Sequence, residues 1–87
     1  MGAMADLDLP ADLLPLHVAA LRADRAMTTA REQGGDVDAA RDAYVEAALA
    51  LRAHPIWEPA RQNGKHHRLW QASLDAAKAA LDAETAA

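Results

Sequence analysis

The sequence predicts an all-α fold: a three-helix bundle, or an antiparallel helical hairpin with a third helix packed on it. Three observations lead there. Apolar residues recur at helical spacing in three separate stretches. The first two stretches are closed by helix-stopping signals, Gly34-Gly35 and His54-Pro55. Strand formers are scarce, with three Val, one Ile and three Thr, and no apolar–polar alternation appears.

Residues Met1 to Ala3 read as a tag remnant, with Met4 as the natural start. Residues 1–11 together form an N-terminal segment, interrupted by Pro10, that is expected to be mobile or to make one loose turn. The first helix is expected over about residues 13–33, with the Asp12 side chain capping the Leu14 N–H and Pro15 in the first turn. Leu16, Ala20, Ala23, Met27 and Ala30 form one face of it, and Leu14, Val18 and Leu21 form a second row nearly opposite. A helix apolar on two sides touches two neighbours or a partner.

Glycine supplies the left-handed backbone at which that helix stops, and Asp36 then caps the second, expected over about 37–53. Its row is Val37, Ala40, Tyr44, Ala47 and Leu51. So short a turn makes the first two helices an antiparallel hairpin. Residues 56–64 form a connector in which Glu58-Pro59 can open a single helical turn. The third long helix is expected over about 65–83, with Trp70, Leu74, Ala77 and Leu81 as its core row, widened by Leu69, Ser73, Ala76 and Ala80. On its outer face the spacing of Asp75, Lys78 and Asp82 allows weak ion pairs. Residues 12–84 are thus one helical domain, and 85–87 a tail expected to fray.

Composition limits how such a domain holds together. Of 87 residues, 24 are alanine and 11 leucine, with two Trp, one Tyr and no Phe. Alanine forms helix readily but buries little area, so the core is thin. Close alanine-mediated packing or a second subunit must compensate. Seven Arg against two Lys, with heavy use of Ala and Asp, suggest a GC-rich bacterial gene. The absence of cysteine excludes disulfides and thiolate chemistry. No apolar run approaches the roughly 20 residues of a membrane span, and a cytoplasmic location is expected.

The stretch Gly35-Asp36-Val37-Asp38-Ala39-Ala40, followed by Tyr44, Ala47 and Pro55, resembles the second helix of a tetratricopeptide repeat. The first helix departs from that pattern, with Thr28 and Arg31 where the repeat has glycine and an aromatic. The motif occurs once, whereas such solenoids need about three copies. A helical hairpin with a Gly-Asp turn accounts for the same residues.

Charge is the most distinctive feature. The chain carries a net −4, yet residues 52–68 hold Arg52, Arg61, Lys65 and Arg68 against Glu58 alone, a net +3. His54, His66 and His67 lie in the same segment, and Trp57 and Trp70 flank its basic cluster. Protonation of the three histidines between pH 8 and 5 is expected to raise its charge. Four readings compete. The tryptophans are core and the charges solvated. The segment contacts a protein, since Trp and Arg dominate interface hot spots. It contacts nucleic acid, with Arg61, Lys65 and Arg68 on phosphates and a tryptophan on a base. It holds a metal, against which adjacent histidines diverge by about 100° on a helix.

Elsewhere the signals are weak. Tyr44, His17 and Met27 read as core or near-core residues. Thr28, Thr29 and Ser73 become nucleophiles only with an aligned base, and no nucleophile-elbow motif is present. A chain this short is also expected to have little room for a pocket of several hundred Å³. The sequence is therefore read as a non-enzymatic protein–protein interaction or regulatory module without a cofactor or metal. Its candidate binding residues are Trp57, Arg61, Lys65, His66, His67 and Arg68, with the second apolar row Leu14, Val18 and Leu21 as a candidate extension. Self-association is expected from the two-sided first helix and the thin core. Nucleic-acid binding through residues 61–68 is the alternative.

Overall fold

Four helices and no strand make up residues 9–86, which are the residues described in the computed structural model. The expectations for residues 1–8 and for residue 87 lie outside them. Helix α1 spans Leu13–Gln33, α2 Val37–Arg52, α3 Trp57–Gln62 and α4 His66–Ala86. The fold is a small helical bundle, as the periodicity predicts. The turn at Glu58-Pro59 becomes the short helix α3, and α4 runs past the expected position 83.

Capping residues explain most boundaries. Gly34 takes the left-handed conformation at φ 71°, and the Gly35 N–H closes back on the Ala30 carbonyl at 2.8 Å. The Asp36 carboxylate accepts the Ala39 N–H at 3.0 Å and starts α2. Gly64, also at φ 71°, ends α3 with a paired closure: Lys65 N–H to the Ala60 carbonyl at 2.7 Å and Gly64 N–H to the Arg61 carbonyl at 3.2 Å. Gly34→Ala should cost about 1–2 kcal/mol through left-handed strain alone. A Cβ there meets no atom within 4 Å, so urea denaturation reads the backbone effect without a clash.

The expected cap at Asp12 does not form. Asp12 is itself in the right-handed helical region and makes no side-chain cap. The Leu13 N–H instead closes a turn on the Pro10 carbonyl at 3.0 Å. That frees the Asp12 carboxylate to meet His54 Nε2 at 2.8 Å.

Helix α1 is the shared element, with α2 and α4 both packed on it. The α1–α2 pair is antiparallel, as the short turn requires. Contacts between α1 and α4 run in the same sense along both helices: His17 meets Ser73, and Arg22 and Arg25, further along α1, meet Glu84 and Asp82, further along α4. These two helices therefore run parallel. The end of α2, all of α3 and the start of α4 gather at the N-terminal end of α1.

Two apolar clusters hold this arrangement. Leu13, Ala20, Leu51, Trp57, Ala60 and Leu69 form the larger one at the end closed by α3. Val18, Ala77 and Leu81 form the smaller one between α1 and α4. Buried alanines at the seams fit the close approach expected of a thin core. The second apolar row of α1 is thus covered by α4. Val18 is buried and Leu21 partly so, while Leu14 stays exposed and Leu13, in neither expected row, is buried instead. Self-association inferred from that row loses its ground, because the second neighbour lies in the same chain.

The expected ion pairs within α4 are replaced by other contacts. Asp82 reaches across to Arg25 at 3.2 Å, and Asp75 accepts from the Gln71 amide at 3.1 Å. The buried face of α4 is centred on Leu69, Ser73, Ala77 and Leu81, with Trp70 and Leu74 half-buried at its edge.

Candidate functional site

The end of the bundle closed by α3 carries a pocket of about 410 Å³, lined by Arg52, Trp57, Arg61, His66, His67 and Trp70. Its residues arrive from three elements. Arg52 is the last residue of α2, Trp57 and Arg61 belong to α3, and the rest stand on the first turns of α4. The parallel run of α1 and α4 brings the end of α2 beside the start of α4, and α3 bridges the two. This corrects the expectation that so short a chain leaves little room for a pocket of several hundred Å³.

Trp57 is the anchor of the pocket and is not an exposed contact residue. It is only 3% exposed. Its Nε1–H donates to the Leu51 carbonyl at 2.8 Å. Its ring lies 5.2 Å from Trp70 and 5.4 Å from His66, both tilted. Trp70 in turn lies 4.8 Å from His17. The four rings form a continuous aromatic series from the pocket into the core, and edge-to-face contacts of this kind add to area burial. The reading of Trp57 as a partner-facing hot spot is therefore corrected, since its indole is buried beside Trp70 and His66 and its N–H is used internally.

The other candidate residues divide. Arg61 lines the pocket and pairs with Glu58 at 3.1 Å, both largely exposed. His66 is half-buried and His67 exposed, and both line the cavity although they are adjacent. Lys65 and Arg68 are exposed but lie outside the lining. Two lining residues escaped the candidate set. Trp70 sits on the expected core row, and Arg52 belongs to the basic segment, but only the tertiary arrangement turns them to a common cavity.

Among the described residues, no carboxylate lines the pocket. Two guanidiniums and two imidazoles converge around aromatic walls, a chemistry suited to a carboxylate or another oxyanion. His54 stands apart. Its Nδ1 accepts the Ile56 N–H at 3.0 Å, leaving the proton on Nε2, which donates to Asp12 at 2.8 Å. This hydrogen bond, more than the charge of the ring, lowers the Asp12 carboxyl below its usual 3.8. The pair ties the segment before α1 to the chain after α2. Among the described residues, no three His, Asp or Glu side chains converge to hold a metal.

One further polar pair lies in the core. His17 Nδ1 and Ser73 Oγ are 2.6 Å apart, at 2% and 1% exposure. Ser73 Oγ thus has a ring nitrogen within hydrogen-bond distance, in a pair almost wholly buried between α1 and α4. Burial lowers the His17 pKa below 6.5, and the neutral ring is the form that packs here.

No described helix is long and apolar enough to cross a membrane. Comparison with family models, with curated proteins and with solved structures finds no match to this chain.

Proposed function

We propose that the chain is a non-enzymatic interaction module whose basic aromatic pocket receives an acidic segment of a partner protein. The observation that carries this reading is the cavity of about 410 Å³ with Arg52, Arg61, His66 and His67 in its wall and, among the described residues, no carboxylate there. A partner's Asp or Glu side chain gains charge-assisted hydrogen bonds from the arginines. Its neighbouring apolar atoms rest on the exposed edge of Trp70. The sealed Ser73–His17 pair fits a structural role better than a chemical one.

A protein ligand is preferred to nucleic acid on two grounds. Trp57 is buried and Trp70 already packs against His17, Trp57 and His66, which leaves little ring surface for a base. The chain outside residues 52–68 is acidic and would repel a phosphate backbone.

Both tryptophans line the pocket, so their fluorescence reports occupancy. Titration with a Glu-rich peptide should shift the emission. Arg52→Ala with Arg61→Ala should weaken that binding by about tenfold or more, the loss of one or more charged hydrogen bonds. Peptide affinity unchanged in the double variant overturns the reading. So does tighter binding of a single-stranded oligonucleotide whose affinity falls with salt at a slope of about −0.7 per phosphate contact.

A further inference from the structure

Helices α2 and α4 both pack on α1, and they do not pack on each other. Between them lies a second cavity, of about 170 Å³, to which all three helices contribute. Leu21 and Asp24 reach it from α1, Tyr44, Ala48 and Arg52 from α2, and Trp70 and Leu74 from α4. Within each helix these residues stand three or four apart, so each set shares one face. Leu21, Tyr44, Ala48 and Leu74 are half-buried, an apolar strip that the chain covers only in part. Arg52 and Trp70 line this cavity and the cationic pocket alike, so the two join into one groove.

The groove selects the shape of what fills it. Tyr44 stands eight residues before Arg52 on α2, which makes the apolar part about 12 Å long, or about two helical turns. An extended segment there would lay unpaired N–H and C=O groups on apolar walls, and no strand among the described residues offers an edge to pair them. A helix satisfies its own backbone and becomes a fourth member of the bundle. Charge sets its direction. Arg52, Arg61, His66 and His67 lie at the end closed by α3, and Asp24 lies toward the other end. Asp24 and Arg52 are exposed and make no ion pair among the described residues. A helix is partially negative at its C-terminus and partially positive at its N-terminus. Its C-terminal end over the arginines and its N-terminal end over Asp24 match both charges, and the reverse sense matches neither.

We propose that this groove holds an amphipathic helix of a partner protein. Its apolar face lies on Leu21, Ala48 and Leu74, and acidic residues of its last turn enter the cationic pocket. The proposal rests on the reading of that pocket as an acceptor of acidic segments, and it names the form the segment takes. A second copy of this chain fits less well: α2, whose Val45 and Leu49 are exposed, ends on Arg52 and would bring like charge to the cationic end.

The probe is a designed peptide of about 14 residues, or four helical turns. It has leucines at +3 and +4 spacing, two glutamates in its last turn and no tryptophan. It should shift the tryptophan emission, gain helical circular dichroism on mixing, and bind at least about tenfold tighter than the leucine-free Glu-rich peptide. Ala48→Gln puts a longer uncharged side chain into the groove, outside the cationic pocket. It should remove most of that advantage and leave the affinity of the Glu-rich peptide unchanged. Asp24→Lys should weaken the leucine peptide by about threefold at low salt. Both variants should keep their helix content, since Gln is a good helix former and Asp24 is exposed. A leucine peptide that binds no tighter than the Glu-rich one, gains no helix, or ignores Ala48→Gln overturns the groove inference. Binding of the Glu-rich peptide then still supports the pocket reading, whereas failure of both peptides overturns both. A chain that alone sediments above 9.3 kDa, and returns to that mass with Ala48→Gln, puts a second copy in the groove and also overturns the inference.

Discussion

Trp57→Ala should be the most damaging single change in the molecule, at about 3–5 kcal/mol, the range for removing a buried aromatic side chain. The indole is 3% exposed and packs in the larger core cluster. Its loss opens a hole where α3 meets α1 and α4 and removes one donor from the Leu51 carbonyl at the end of α2, leaving it the His54 N–H at 3.2 Å. Marginal stability is typical of small domains, so a loss of this size should populate unfolded chains at 25 °C. Trp57→Phe separates the two contributions. It keeps much of the ring and loses the N–H, and should cost about 1 kcal/mol from the hydrogen bond, plus the smaller ring's packing deficit. Urea denaturation followed by far-ultraviolet circular dichroism reads both. A Trp57→Ala protein with wild-type stability would mean that α3 is not anchored through this side chain.

Acidification should weaken the fold through His17. Burial lowers the ring's pKa below the ordinary 6.5 that it regains on unfolding. Between those two values the unfolded chain binds more protons than the folded one. Stability is therefore fully present above pH 6.5 and falls as the pH drops below it, by up to about 1.4 kcal/mol per pH unit. The loss stops growing once the pH passes below the folded value. His17→Phe combined with Ser73→Ala replaces both polar partners with apolar groups, and its stability curve should be flatter in that window. The difference between the two curves isolates His17 from the other histidines. Ser73→Ala alone should cost about 1–3 kcal/mol, because it strands Nδ1 in the core. Identical pH dependence in wild type and the double variant would show that the His17 pKa does not change on folding.

The long helices were legible because their signals are local. Gly34-Gly35, Asp36 and His54-Pro55 mark ends by backbone geometry, which needs no knowledge of the rest of the chain. Rotation of each helix was less legible. Leu13 and Leu14 are adjacent, and periodicity alone did not decide which one faces inward. Leu13 is buried because α3 and α4 close over the start of α1, a contact made between distant parts of the sequence. Asp12 illustrates the same limit: a good capping residue was drawn away by His54, 42 positions later. At the pocket, Arg61, His66 and His67 were visible as a basic cluster in an acidic chain. Trp57 was assigned to the surface for its residue type, and its burial follows from the fit of one large ring into the bundle's end. Ser73 found its base across the bundle, a pairing that no sequence spacing encodes.

The central position of α1 has a consequence for how the molecule breathes. Both flanking helices lean on that one cylinder, and between residues 28 and 50, around the hairpin tip at Gly34-Gly35, no side chain is fully buried. Amide protons there are protected mainly by local helical turns, whereas those beside Leu13, Leu51 and Leu69 exchange only when the whole domain opens. The far tip is thus free to fluctuate on its own, and the rigid end is the one that carries the cationic cavity.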